Sequence, residues 1–151
     1  GNTDALGTLS TASVTSSSPA RTATVNTNAK NGWYVWARDA NTGLASASAS
    51  ATIASTTPGT SSTLSAGTAG YNTGVTSSQA SGSGTITVAV PFVGGASTGG
   101  GLDTTLRTLA SSNGTASNAV LTLTNNVAID AITPSATDYT DTITVVGAGL
   151  F

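Results

Sequence analysis

An all-β fold, an antiparallel β-sandwich of the jelly-roll kind, is what this chain predicts, and three observations predict it. Thr, Ala, Ser and Gly fill 93 of the 151 positions, and three of those four residue types are weak helix formers. Short segments alternate apolar and polar side chains, while no long segment spaces apolar residues at three and four. Gly, Asn and Pro punctuate those segments at short intervals, as in Asn31-Gly32, Asn41-Thr42-Gly43, Pro58-Gly59, Asn113-Gly114 and Pro134-Ser135.

The elements follow in chain order. Residues 1–18 read as an N-terminal extension, in which Leu6, Leu9 and Val14 are the large apolar side chains, and residues 19–151 read as the sandwich domain. Strands are expected at Arg21 to Asn26, Gly32 to Arg38, Ala49 to Ala54 and Ser62 to Ala66. The stretches Gly67 to Gly84 and Gly94 to Gly101 are richest in Gly and Ser and read as long surface loops. Between them Thr85 to Val93 places Ile86, Val88 and Val90 on one face, and Pro91 removes a ladder donor, so the strand should end, bulge or lie at an edge there. Leu102 to Ala110 is open: Leu102, Leu106 and Leu109 fall at helical spacing, but Thr104, Thr105 and Thr108 favour a strand. Ala119 to Thr124 points Ala119, Leu121 and Leu123 one way, Asn125-Asn126 is expected to turn, and Val127 to Ile132 returns with Val127, Ile129 and Ala131. The closing strand, Tyr139 to Val146, carries Tyr139, Asp141, Ile143 and Val145 on one face and Thr140, Thr142 and Thr144 on the other.

Composition excludes several chemistries. Cys and His are absent and all six acidic residues are Asp, so thiolate and imidazole metal sites, disulfides and Ser-His-Asp triads have no residues to be built from. Ten charged side chains with a net charge of −2 provide no basic patch for nucleic acid or an anionic membrane surface. No apolar run is long enough to span a bilayer as a helix. No cofactor and no catalysis are expected, because the six Asp are scattered over separate elements. Asp138 and Asp141 are close in sequence but lie at a spacing that puts them on opposite strand faces, and a structural calcium held by either with loop carbonyls is the one metal alternative. The Gly94 to Gly101 run lacks the Lys of a phosphate-binding loop, and Asp39 to Gly43 lacks the distal acid of a calcium loop; both read as ordinary turns.

Trp33, Tyr34 and Trp36 gather three of the seven aromatic residues into four positions. Trp33 is out of phase with the other two, so one set belongs in the core and the other faces a partner or a sugar. Asn113-Gly114-Thr115 is a glycosylation sequon. A surface of Ser, Thr, Asn and Gly with a single Lys reads as extracellular, at the cell surface, and the absence of a basic-then-apolar start reads as a signal peptide already removed.

Two stretches resemble known families. TNAKNGWYVWARD, Thr27 to Asp39, resembles a turn-and-strand segment of secreted bacterial sandwich proteins, and PSATDYTDTITV, Pro134 to Val145, resembles the closing strand of spore-coat-U-type pilins. The resemblance implies a jelly-roll subunit of an extracellular fibre, in the company of those pilins and of TasA/camelysin-type filament proteins, whose members lend an N-terminal strand to a neighbour. This chain departs from the pilins in having no Cys for their disulfide. On this reading residues 1 to about 13 leave their own subunit, with Asp4, Leu6 and Leu9 at the polymer interface, and the partner is a second copy of the chain. The alternative is that the segment folds back as an ordinary edge strand of the same chain. A virion or phage jelly-roll surface protein, and a secreted carbohydrate-binding or adhesive module with surface glycans as partners, are the other classes the composition admits.

Overall fold

The computed structural model describes residues 3–151; Gly1 and Asn2, the start of the expected donor segment, lie outside the described residues. Among the described residues there are twelve strands, one 3-10 turn and no α-helix. The strands are β1 (Thr15–Ser16), β2 (Arg21–Thr27), β3 (Trp33–Arg38), β4 (Gly43–Ser46), β5 (Ala51–Ala54), β6 (Ser61–Thr63), β7 (Gly70–Ser81), β8 (Ile86–Val88), β9 (Thr98–Gly100), β10 (Arg107–Ser112), β11 (Ala116–Ala128) and β12 (Thr144–Gly149). Every pairing between them is antiparallel.

The chain is an antiparallel β-sandwich. One sheet is built on β11, which pairs with β7 along one edge and with β1 and β2 in tandem along the other; β9 and β6 extend it beyond β7. The facing sheet runs β12-β3-β10-β8, and β4 and β5 form a separate hairpin. Alternation along the strands puts Trp33, Val35 and Ala37 of β3 and Leu109 of β10 against Val75 of β7 and Ala119, Leu121 and Leu123 of β11. Phe92 and Leu102 plug the end of this core from the connections. At the β2–β3 turn Gly32 has φ +100°, and a Cβ there would lie 1.9 Å from the carbonyl oxygen of Ser112, so only glycine fits.

On the same inner face of β7 and β11, a second apolar cluster of Tyr71, Val127, Leu44 and Ile53 lies beyond the main one. Between the two sits a polar pair, Thr73 opposite Asn125, with Thr73 Oγ1 donating to Asn125 Oδ1 at 2.8 Å. The β4–β5 hairpin covers this second core. The stretch 138–141 joins it, with Ala45 and Thr140 exchanging two main-chain hydrogen bonds at 2.9 Å each.

The strands expected at Arg21 to Asn26, Gly32 to Arg38, Ala49 to Ala54 and Ser62 to Ala66 are present with shifted ends, and Pro91 does close the Thr85 segment, in a 3-10 turn over Val90–Phe92. Four expectations are corrected, and one left open is decided. Gly67 to Gly84 is not a loop: it holds β7, a central strand of twelve residues paired along its length with β11. Gly94 to Gly101 contains β9, and its small residues let it lie close on β7, where a Cβ on Gly74 would stand 2.4 Å from Thr98 O. Asn125-Asn126 does not turn, because β11 runs straight through both. Leu102 to Ala110, open between helix and strand, takes the strand alternative in its second half, where β10 begins at Arg107. The closing strand starts five residues later than expected, at Thr144, because the chain up to Asp141 is held against the β3–β4 turn and β4.

Candidate functional site

The N-terminal segment, which the sequence singles out, lies over the second core. Leu6 and Leu9 are half-buried against it together with Ile129 and Tyr139. Main-chain pairing is nearly missing: among the described residues, the backbone-to-backbone hydrogen bonding of Thr3 to Ser13 amounts to one local contact, Ser13 N–H to Ser10 O at 3.5 Å, beside Ala12 N–H to Ser10 Oγ at 3.2 Å. The segment is a strap held by side chains. Its polar anchor is Asp4, whose Oδ2 accepts from Asn125 Nδ2 at 2.7 Å and whose Oδ1 lies 3.6 Å from Arg21 Nε. The Arg21 guanidinium also donates to Thr3 O. Regular pairing begins only at β1, where Thr15 and Ser16 oppose Val127 and Asn126.

A network of buried amides fixes the strands under the strap. Asn126, fully buried, donates to Asn72 Oδ1 at 3.0 Å and to Gly95 O at 2.8 Å, and accepts from Ser97 N–H at 3.0 Å and Ser16 Oγ at 2.6 Å. Ser17 completes it, its Oγ accepting from Asn125 N–H at 3.0 Å. The one signal that foreshadows this arrangement is parity, since Leu121, Leu123, Val127 and Ile129 are all odd-numbered and a single unbroken strand would keep them on one side.

Carboxylates tie the other cover of the second core in place. Asp138 accepts from Ser48 N–H at 2.9 Å, Ser48 Oγ at 2.6 Å and Ser46 Oγ. These donors, the Ser46 hydroxyl foremost, hold its carboxyl well below the usual range. Asp141 accepts from Ala40 N–H at 3.2 Å and Thr142 N–H at 2.7 Å, while its Oδ2 is buried without a partner. Burial pushes the Asp141 carboxyl upward; burial and then the nearby Asp141 charge do the same to Asp39, which accepts from Thr42 N–H and Ser55 Oγ at 3.2 Å each. Tyr71 is pushed up by burial and by Asp141, Asp39 and Asp4. Among the described residues no three acidic side chains converge as metal ligands.

The remaining singled-out residues separate. Trp33 is fully buried in the main core with its Nε1–H unpaired, whereas Tyr34 and Trp36 lie on the outer face of the four-stranded sheet, stacked with centroids 5.5 Å apart and planes 15° apart. Ile143 packs on the main core, Val145 is exposed on β12, Tyr139 donates its hydroxyl to Pro134 O at 3.0 Å, and Asp141 precedes the strand. Asn113 is exposed, its Oδ1 accepting from Thr85 N–H at 2.8 Å. Among the described residues no helix is long and apolar enough to cross a membrane. Comparison with protein-family models, with curated proteins and with solved structures finds no match to this chain.

Proposed function

We propose that this chain is a structural, non-catalytic subunit of an extracellular filament, assembled when residues 1–13 of one copy leave their own second core and cover that of the next. The observation that carries the reading is the strap itself: Leu6 and Leu9 cover an apolar cluster, yet Thr3 to Ser13 has almost no main-chain bonding to lose. Release therefore breaks few hydrogen bonds, while the exposed cluster of Leu44, Ile53, Tyr71 and Val127 calls for a replacement cover of the same chemistry. A second copy supplies it. Because donor and acceptor are different surfaces, the contact is head to tail and propagates as an open chain.

The test is deletion of residues 1–13 followed by negative-stain microscopy. The full chain forms filaments, the truncated chain does not, and a synthetic peptide of the deleted segment binds the truncated chain. Filaments that persist after the deletion, or a full chain that stays monomeric at every concentration, would refute the assignment.

A further inference from the structure

The outer face of the four-stranded sheet carries a groove of about 390 Å³ whose lining contains no charged residue. Tyr34 forms one wall. Trp36, which does not line the groove, stacks on the Tyr34 ring and supports it. Polar groups line the groove with it from three elements: Asn31 from the β2–β3 turn, Thr87 from β8, and Ser111 and Asn113 from β10 and its end. The side chains of Asn31, Thr87 and Ser111 make no hydrogen bond among the described residues. Asn113 is fixed by the N–H of Thr85 on its Oδ1, which leaves its Nδ2 free to donate.

We infer that this groove binds a neutral saccharide. A sugar ring has an apolar C–H face and a rim of hydroxyls that both donate and accept, which matches one supported aromatic ring in a groove lined by hydroxyl and amide groups. Uncharged lining argues against phosphorylated or carboxylated ligands, which need Arg or Lys. Each polar group present can serve a hydroxyl in either sense, except that the oriented Asn113 amide donates. The surface is separate from the strap and does not depend on filament formation.

The experiment is calorimetric titration of the full chain with cellohexaose, chitohexaose and mannohexaose, repeated on Tyr34→Ala, Tyr34→Phe and Asn113→Ala. At least one of the three sugars binds the native chain. Tyr34→Ala weakens that binding by at least about tenfold, Tyr34→Phe restores it because the ring is retained, and Asn113→Ala weakens it through the lost donor. Tyr34 and Asn113 are both exposed, so these variants fold, and an unchanged circular dichroism spectrum verifies it. Absence of binding to all three sugars, or equal binding by Tyr34→Ala, overturns the proposal. So does a Tyr34→Ala chain that fails to assemble while the native chain binds no sugar, which makes the face a subunit contact instead.

Discussion

Asn125 Nδ2 donates to Asp4 Oδ2 at 2.7 Å, a contact across 121 residues that joins the N-terminal strap to the polar seam between the two cores. The same Asn125 takes Thr73 Oγ1 on its Oδ1, so one side chain serves both the seam and the strap.

Replacing Asp4 with Ala leaves the buried Asn125 amide short of an acceptor, a loss of about 1–2 kcal/mol. The larger effect is expected in the strap itself. Limited proteolysis within residues 3–13 should become faster and filament growth should speed up, because the anchor opposing release is gone. Unchanged cleavage in the Asp4→Ala chain would mean that Leu6 and Leu9 alone hold the segment.

Asn126 is the most heavily engaged amide of the fold, and Asn126→Ala removes partners from Asn72, Gly95, Ser97 and Ser16 at once. Urea denaturation should report a loss of about 3 kcal/mol or more. Val120→Ala, at a half-buried position of the same strand, should cost about 1 kcal/mol and serves as the comparison.

Two carboxyls shifted upward make the junction at Asp39 and Asp141 sensitive to pH. A carboxyl whose folded value is raised holds its proton more tightly in the fold, so its contribution is best below the ordinary value near 3.8 and declines as pH rises through the raised value. Asp138, Asp103 and Asp130 are shifted downward, so their contributions are present above that ordinary value and are lost as pH falls through the lowered ones. Asp141→Asn keeps an acceptor for Ala40 and Thr142 and removes the charge beside Asp39. At pH 7 it should be more stable than the native chain by on the order of 1 kcal/mol, seen as a higher melting temperature, with the advantage vanishing near pH 3. An advantage of equal size at both pH values would exclude charge as the cause.

Gly74→Ala should destabilise by about 2–3 kcal/mol, since the added Cβ falls 2.4 Å from Thr98 O and the backbone of both strands would have to part. Gly95→Ala is the matched control in the neighbouring loop, where a Cβ meets nothing within 4 Å. Thermal melts of the pair check both.

Period-two side-chain pattern made β2, β3, β5 and β8 legible, β2 and β8 by an apolar face against a polar one and β3 by its run of aromatic and β-branched residues. The same rule failed at β7. Gly70 to Ser81 is made of Gly, Ser, Thr and Asn with few large side chains, and its strand character comes from β11 on one edge and β9 on the other, with the chain from Gly95 to Thr98 lying closely against Gly74. Asn125-Asn126 misled for a related reason. Asn favours turns when its amide bonds locally, but here each amide finds distant partners in Thr73, Asp4, Asn72 and Gly95. Among the site residues, the split of Trp33 from Tyr34 and Trp36 was readable from parity, whereas which set faces the core was not.

Residue types and their period-two pattern by themselves determined the all-β class, the closing of the Thr85 segment at Pro91 and the lack of thiol or imidazole chemistry, since each depends on a side chain or on its nearest neighbours. Only the tertiary structure decided that two cores share one sheet face, that a Thr73–Asn125 seam divides them, and that residues 3–13 lie over the second without a ladder. Those features arise from pairs such as Asp4 with Asn125 and Asn72 with Asn126, which are 121 and 54 residues apart along the chain. Local propensity carries no information about such distant partners, because their hydrogen bonds exist only after the strands have been brought side by side.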